Sequence, residues 1–457
     1  MLAYVGHTKT DPSDAVLRMG DRLTALSVVF GVSKEAFIMP RLISLCGLFA
    51  MLFIAWLMSS NRREINLRIV VGGVLLQFLL AFLILGTEQG QRSLRQFSDI
   101  VTSVIQCADA GSEMLFSIYP DEEDPPLTPT QTLMRTFAFG VLPTIVFFSS
   151  LMSVMYYYGI MQRIVEAIAW VMQRTLGTSG AESLSAASNI FVGQTEAPLV
   201  IKPYLSKMTL SELNAVMVGG FASIAGSVLG AFVAFGVDAG HLVVASVISA
   251  PAALVLAKIL VPETEAVESL TLVKIETAED RAVNAIEAAA IGATDGMKLA
   301  LNIAAMLIAF LAIIRLGNMA VGWIGTLFHD QNLWTIESGL GYVFAPFAWL
   351  MGIPREECLK SGELLGLKMA TNEFVAYGKL GEWMSQSGAS APSERTSTIL
   401  TYALAGFANI SSIGIQIGGI GSIAPERRSD LARLGLKAMF GGTLAAFMTA
   451  CIAGVLL

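Results

Sequence analysis

The chain has 457 residues, of which 54% are hydrophobic and 14% charged, and its mean hydropathy of +0.66 lies outside the range of soluble globular proteins. It reads as an integral membrane protein. A formal charge of −7 is not a nucleic-acid footprint, and no nucleic-acid partner is expected.

In chain order, residues 1–40 read as an extramembrane N-terminal extension, because Asp11, Asp14, Asp21 and Arg22 interrupt any apolar core of a signal sequence. Crossing ~30 Å of hydrocarbon takes about 20 apolar helical residues. Windows of that kind predict eight spans, at about 41–59, 69–86, 133–157, 213–236, 240–260, 299–317, 397–420 and 434–456. Alternating ten-residue strands are absent, which argues against a barrel. Between the second and third spans lies a stretch that is amphipathic and then rich in proline and acid. It is expected along the outer surface. The acidic stretch "PETEAVESLTLVKIETAED" reads as a water-exposed connection after the fifth span.

Two short basic loops, "SSNRREINLR" and "PERRSDLARLGLK", belong in the cytoplasm by the positive-inside rule. With an even number of spans, both termini are then extracytoplasmic. The chain is expected in the plasma membrane, the inner membrane in a bacterium. The cysteines Cys46, Cys107, Cys358 and Cys451 form no CxxC pair and read as packing residues, and the histidines His7, His241 and His329 form no ligand pattern.

Two further apolar segments do not read as simple spans. Residues 183–204 carry "GQTEAPLV", and residues 362–382 are "GELLGLKMATNEFVAYGKLGE". Each places a glutamate beside Asn or Thr near its middle, where a charge costs a membrane helix a few kcal/mol. A fold-back at the middle gives each arm about 10 residues and ~15 Å, half the hydrocarbon thickness, so the polar tip lands at the midplane. The stretch "GFASIAGS" (220–227) follows the first segment and "GFANISSI" (406–413) follows the second. The expected fold is therefore all-α, with eight transmembrane helices and two re-entrant hairpins in inverted repeats. Inverted repeats with interrupted helices mark secondary transporters.

Glu196 and Glu373 are the sharpest signals. A buried carboxylate can simply be satisfied by neighbouring backbone, but intramembrane acids more often hold a substrate, ion or proton. Gln194, Thr195, Asn372, Asn409 and Ser412 add donors and acceptors without positive charge. Lys202 and Lys368 are expected to snorkel from the arms toward an interface. Two carboxylates without a facing cation disfavour anionic cargo and suit a neutral polyhydroxylated or heterocyclic solute. Val228 and Phe407 read either as packing or as pocket wall. Asn189 and Ser223 either bond across helices or join opened-backbone carbonyls in a cation site. No catalytic residue is expected: "GTSGAES" is not a nucleophile elbow and has no histidine partner.

The motifs "GQTEAPLV" (193–200), "GGFASIAGSVLG" (219–230), "NEFVAY" (372–377) and "GFANISSI" (406–413) resemble those of the concentrative nucleoside transporters, from about residue 41 to the C-terminus. The resemblance implies a homotrimer with interfacial helices and a scaffold that carries a moving transport domain. It divides the chain into an extension (1–40), scaffold (41–157), first transport repeat (158–260), acidic loop with the sixth scaffold helix (261–330) and second transport repeat (331–457). It implies that a nucleobase meets Gln194, Thr195 and Glu196 with Val228 and Phe407 nearby, and that ribose hydroxyls meet Glu373, Asn409 and Ser412. Sodium, as coupling ion, would take the side chains of Asn189 and Ser223 and the carbonyls of Val192, Ser223 and Ile224. No other cofactor is implied. The function implied is sodium-coupled nucleoside import by alternating access. The alternatives are a proton-coupled relative, in which Glu196 or Glu373 carries the proton, and a channel for small neutral solutes.

Overall fold

The computed structural model describes residues 34–116, 137–265, 282–327 and 334–457, and every regular element among them is helical. Apolar α1 (Lys34–Leu57) and α2 (Leu67–Leu85) are followed by amphipathic α3 (Glu88–Phe116). A π-helical turn at Phe137–Val141 leads into α4 (Leu142–Tyr157), and α5 (Ile160–Leu176) comes next. Met161, Val165, Ala169, Met172 and Leu176 recur every three or four residues on the buried face of α5, the stripe of a surface helix.

The first interrupted segment contains α6 (Gly180–Ser188), α7 (Ala197–Val200) and α8 (Lys202–Leu205). Capping boxes at Ser179/Glu182 and Thr209/Glu212 start α6 and α9 (Leu210–Ala222) by satisfying first-turn N–H groups. Extended backbone at Ser223 and Ala225 separates α9 from α10 (Gly226–Ala234). Then come α11 (Ala239–Leu260), α12 (Ala285–Leu327) and α13 (Ile336–Leu350). The second interrupted segment, α14 (Arg355–Ala370) and α15 (Glu373–Met384), breaks at Thr371–Asn372. α16 (Glu394–Leu404), α17 (Ile410–Ile423) and α18 (Arg428–Leu456) close the chain.

Seven helices among the described residues are long and apolar enough to cross a membrane: Ile38–Leu57, Leu67–Leu85, Ala138–Tyr157, Leu210–Ala234, Ala239–Leu260, Ala285–Thr326 and Pro425–Leu456. They fall where the first six spans and the last were expected. The remaining one, 397–420, is not continuous: it divides into α16 and α17 around Ala405–Asn409. The sixth span was expected at 299–317, yet α12 runs for 43 residues, about 65 Å at ~1.5 Å per residue. Charged Asp295 and Lys298 end the apolar window without ending the helix. Gly292 and Gly296 let it lie close along α4, since a Cβ on either would come within 2.8 Å of the Ser150 or Val146 Cα.

The first helix is already formed at Lys34, inside the expected extension of 1–40. Nor is the second arm of the first segment one helix, because Pro198 and Pro203 each restart the helix and Ile201 leaves it. Residues 1–33, the proline-rich acidic stretch at 117–136 and most of the acidic loop, 266–281, lie outside the described residues.

At the centre, α11 and most of α18 are buried, and α9 packs on both. By contrast, Ile308, Ile313, Leu316 and Met319 of α12 are exposed, as lipid-facing side chains are. Hydrogen bonds define the two ends of this bundle. At one end Arg427 Nη1 donates to the carbonyls of Leu205, Ser206 and Met208 (3.4, 3.3 and 2.5 Å). Ser60 donates its N–H and Oγ to Leu260 O there (2.9 and 3.0 Å). At the far end of α18, Arg395 donates to Gly454 O (2.6 Å) and Gly352 O (3.0 Å), and Ser44 Oγ to Met351 O (2.8 Å). The two interrupted segments are thus anchored at opposite ends of α18, as inverted copies require.

Gly442 of α18 allows a close approach in this core, because a Cβ there would lie 2.4 Å from the Phe221 Cβ. Gly442→Val is expected to destabilise the protein by about 1–3 kcal/mol through overpacking. Gly414→Ala, with nothing within 4 Å of its new methyl, is expected to be neutral. Thermal unfolding of both variants in detergent checks the contrast.

Candidate functional site

The two helix breaks touch. Gly406 holds φ at 138°, a conformation that side chains resist, and a Cβ there would meet Phe221 O at 2.7 Å and Ala222 O at 3.0 Å. The break after Leu404 is therefore seated against the end of α9. The first interrupted segment joins the same place: Phe191 O accepts from Gly226 N–H at 2.8 Å.

Around that joint, acceptors outnumber donors. Asn189 caps the end of α6 and donates Nδ2 to Ser185 O (3.0 Å), while its buried Oδ1 has no hydrogen-bond partner. Ser223 Oγ donates to Gly219 O (3.0 Å). Among the described residues the carbonyls of Val192, Ser223 and Ile224 accept no backbone hydrogen bond outside the helices. A buried orphan acceptor is costly, and a set of amide, hydroxyl and carbonyl oxygens suits a hard cation.

A second polar chain runs through the interior. Gln194 donates Nε2 to Ser412 Oγ (3.2 Å), and its Oε1 accepts from Gln416 Nε2 (3.1 Å). Gln416 also donates to Met217 O (3.1 Å). Asn409 caps α17, its Oδ1 accepting from Ser412 N (2.9 Å) and Ser411 Oγ (2.7 Å), and its Nδ2 reaches Glu373 Oε2 (3.3 Å). Glu373 is the first residue of α15, after the Asn372 cap, and is only 3% exposed. In the sequence Gln194, Glu373 and the pair Asn409 and Ser412 fall on three separate stretches; the structure links them into one network.

Thr195 and Glu196 point elsewhere, into a cavity of about 530 Å³ that they share with Val192, Ser149, Tyr156, Asp295 and Lys298. Glu196 is exposed to it. Val228 is buried in α10, and Phe407 lies half-buried within the second break.

One expectation fails. Lys368 does not snorkel: it is 1% exposed, and its Nζ donates to Ala403 O at 3.1 Å. The carbonyls left free where α16 breaks supply its partner, so a cation sits in the interior after all. Lys202 is exposed as expected. Sequence reading also missed Gln416 and the far cavity wall, Tyr156, Asp295 and Lys298. The signal for Gln416 was there, a lone amide in "IGIQIGGI".

Gln416→Leu is expected to destabilise the protein by about 1–3 kcal/mol, since it strips Gln194 Oε1 and Met217 O of a buried donor. The midpoint of thermal unfolding checks this.

Residues 241–454 match the family described as "Na+ dependent nucleoside transporter C-terminus", residues 46–118 its N-terminus, and residues 138–239 "Nucleoside recognition". The chain is 45% identical over 418 residues to an "Uncharacterized transporter" of Haemophilus influenzae, covering 91% of this chain and 98% of that one. It is 43% identical over 426 residues to "Solute carrier family 28 member 3" of Eptatretus stoutii, covering 91% of this chain but 60% of that longer relative. Among solved structures it resembles CNTnw in an inward-facing substrate-bound state, with a TM-score of 0.84, 43% identity, and coverage of 91% of this chain and 97% of that one. A CNTnw variant in an outward-facing state gives a TM-score of 0.85 at 42% identity, covering 92% and 98% of the two chains.

Proposed function

The chain belongs to the Na+-dependent nucleoside transporter family, whose members are membrane transporters and not enzymes, and from that premise we propose that it imports nucleosides together with sodium by alternating access. One observation carries the coupling: the unpartnered Asn189 Oδ1 and the spare carbonyls of Val192, Ser223 and Ile224 surround the joint between the first interrupted segment and the broken α9–α10 helix. A sodium ion held there ties residues 189–196 down. Gln194, Thr195 and Glu196 are then set beside the nucleobase, with Val228 and Phe407 flanking the ring.

On the other side, Glu373, Asn409 and Ser412 meet the ribose hydroxyls, since a carboxylate accepts from a diol and the amide and hydroxyl can donate or accept. Because sodium orders the segment that holds the base, each ligand strengthens the other's binding by the same factor. One positive charge moving inward gains ~2.3 kcal/mol per 100 mV of membrane potential, enough to drive uphill uptake. In this reading the repeats at 158–260 and 331–457 move the cargo against a scaffold of 41–157 and the sixth helix. The assembly is a homotrimer with both termini extracytoplasmic.

Uptake of labelled uridine and adenosine into vesicles, with and without an inward sodium gradient, tests the proposal. Saturable accumulation that needs the gradient is expected. Accumulation that follows pH and ignores sodium would replace sodium by the proton, and equilibration without accumulation would point to a channel. Asn189→Ala is expected to lower sodium-stimulated uptake at least tenfold, since a buried ligand oxygen is lost. Unchanged sodium dependence in that variant would refute the ion assignment.

A further inference from the structure

The end of α16 leaves buried carbonyls that side chains of the second interrupted segment help to satisfy. A helix leaves its last four carbonyls without internal partners, here those of Thr401, Tyr402, Ala403 and Leu404. Water cannot reach this position, because all four residues are buried. Tyr402 O accepts from Ala405 N–H (3.3 Å) within the turn. Thr401 O accepts from Tyr377 Oη (2.8 Å), and Ala403 O from Lys368 Nζ (3.1 Å). Both side chains come from the second interrupted segment, one from each side of its break.

A neutral donor would serve the carbonyl equally well, and burying an ammonium is costly unless its charge is used. Glu373 stands five residues on, across the break, and is buried like Lys368. No Glu373 oxygen stands within ion-pair distance of Nζ among the described residues. An ammonium at that separation can act on the carboxylate only through space, which leaves the carboxylate oxygens to uncharged donors such as Asn409 Nδ2. Among the described residues, the polar groups next to Glu373 include Asn409 on its Oε2, the Asn372 cap and the Tyr377 hydroxyl, which is already committed to Thr401 O. None of these carries a positive charge. A lone carboxylate in so dry a place is strongly disfavoured.

We propose that Lys368 is a positioning residue for ribose recognition: its buried ammonium compensates Glu373, so that a full carboxylate faces the sugar diol, and it pins the broken end of α16 that carries Phe407 and Asn409 toward the same ligand. This rests on the assignment of Glu373 to the ribose made above. The ligand feature it governs is the pair of sugar hydroxyls, because a hydroxyl bonds a charged acceptor more strongly than a neutral one.

The test is calorimetric binding of uridine and 2′,3′-dideoxyuridine to the detergent-purified full chain in sodium, with folding checked by gel filtration. Lys368→Gln keeps a donor but drops the charge, and should cut the preference for uridine about tenfold, the margin between charged and neutral hydrogen bonds. Lys368→Arg, which keeps the charge, should hold that preference within about twofold. The double variant with Glu373→Gln should be no worse than Glu373→Gln alone, the mark of two residues acting as one. A purely structural lysine would weaken both ligands equally and leave the ratio unchanged. An unchanged ratio in Lys368→Gln, with a lowered one in Glu373→Gln, overturns the role of Lys368 while sparing the ribose assignment. An unchanged ratio in Glu373→Gln overturns both. If Lys368→Gln does not fold, loss of the preference in Lys368→Arg is the overturning result and its retention the supporting one.

Discussion

Inside hydrocarbon, a backbone N–H or C=O that leaves a helix must find its partner within the protein, because no water is there to replace the lost bond. This chain interrupts its helices at 189–196, 223–225, 371–372 and 405–409, and the interruptions satisfy one another. Phe191 O takes the Gly226 N–H. Asn372 and Asn409 cap the helices that restart after the third and fourth breaks. Tyr377 and Lys368 reach across to the carbonyls of Thr401 and Ala403. Around the first two breaks, among the described residues, Asn189 Oδ1 and the carbonyls of Val192, Ser223 and Ile224 are left over, acceptors that an incoming cation would balance. The candidate ion site is thus the unpaid balance of the same accounting that holds the breaks together.

Packing makes that mutual satisfaction possible. The breaks touch where a side chain is missing, at Gly406 against the end of α9 and at Gly226 against Phe191 O, while Gly442 lets α18 close on Phe221. Around this contact α11 is buried almost throughout and α18 over its second half, whereas α12 turns Ile308, Ile313 and Leu316 outward. Dense packing transmits displacement without compressing.

The spans were legible because a 20-residue apolar window is dictated by bilayer thickness, and the breaks because Glu196 and Glu373 stand where charge is costly. The extents were not. Asp295 and Lys298 close the apolar window of the sixth span, yet they lie on a helix that continues beside an aqueous cavity, and hydropathy sees only the solvent. Pro198 and Pro203 divide an arm that apolar composition alone presents as one piece. Lys368 was misread for a related reason: its partner carbonyl is 35 residues away, and no spacing rule says which way a lysine stem turns. Gln416 looks like any helix amide until Gln194 and Met217 are brought beside it.

The two glutamates, equivalent in the sequence pattern, occupy unequal places. Glu373 sits at the start of a 12-residue helix, after a 16-residue one, with Asn409 on its carboxylate. Glu196 follows a non-helical stretch, is succeeded by two four-residue helices, and faces the open cavity. Local stability follows the density of buried contacts and protected hydrogen bonds, so the first segment is the one that a small ligand can order most. On the proposed function this separates the tasks. The second segment offers a fixed platform to the sugar, and the first is the element whose ordering sodium controls. Coupling then needs no long relay, because Asn189 and Gln194 are five residues apart on that same loosely held strip.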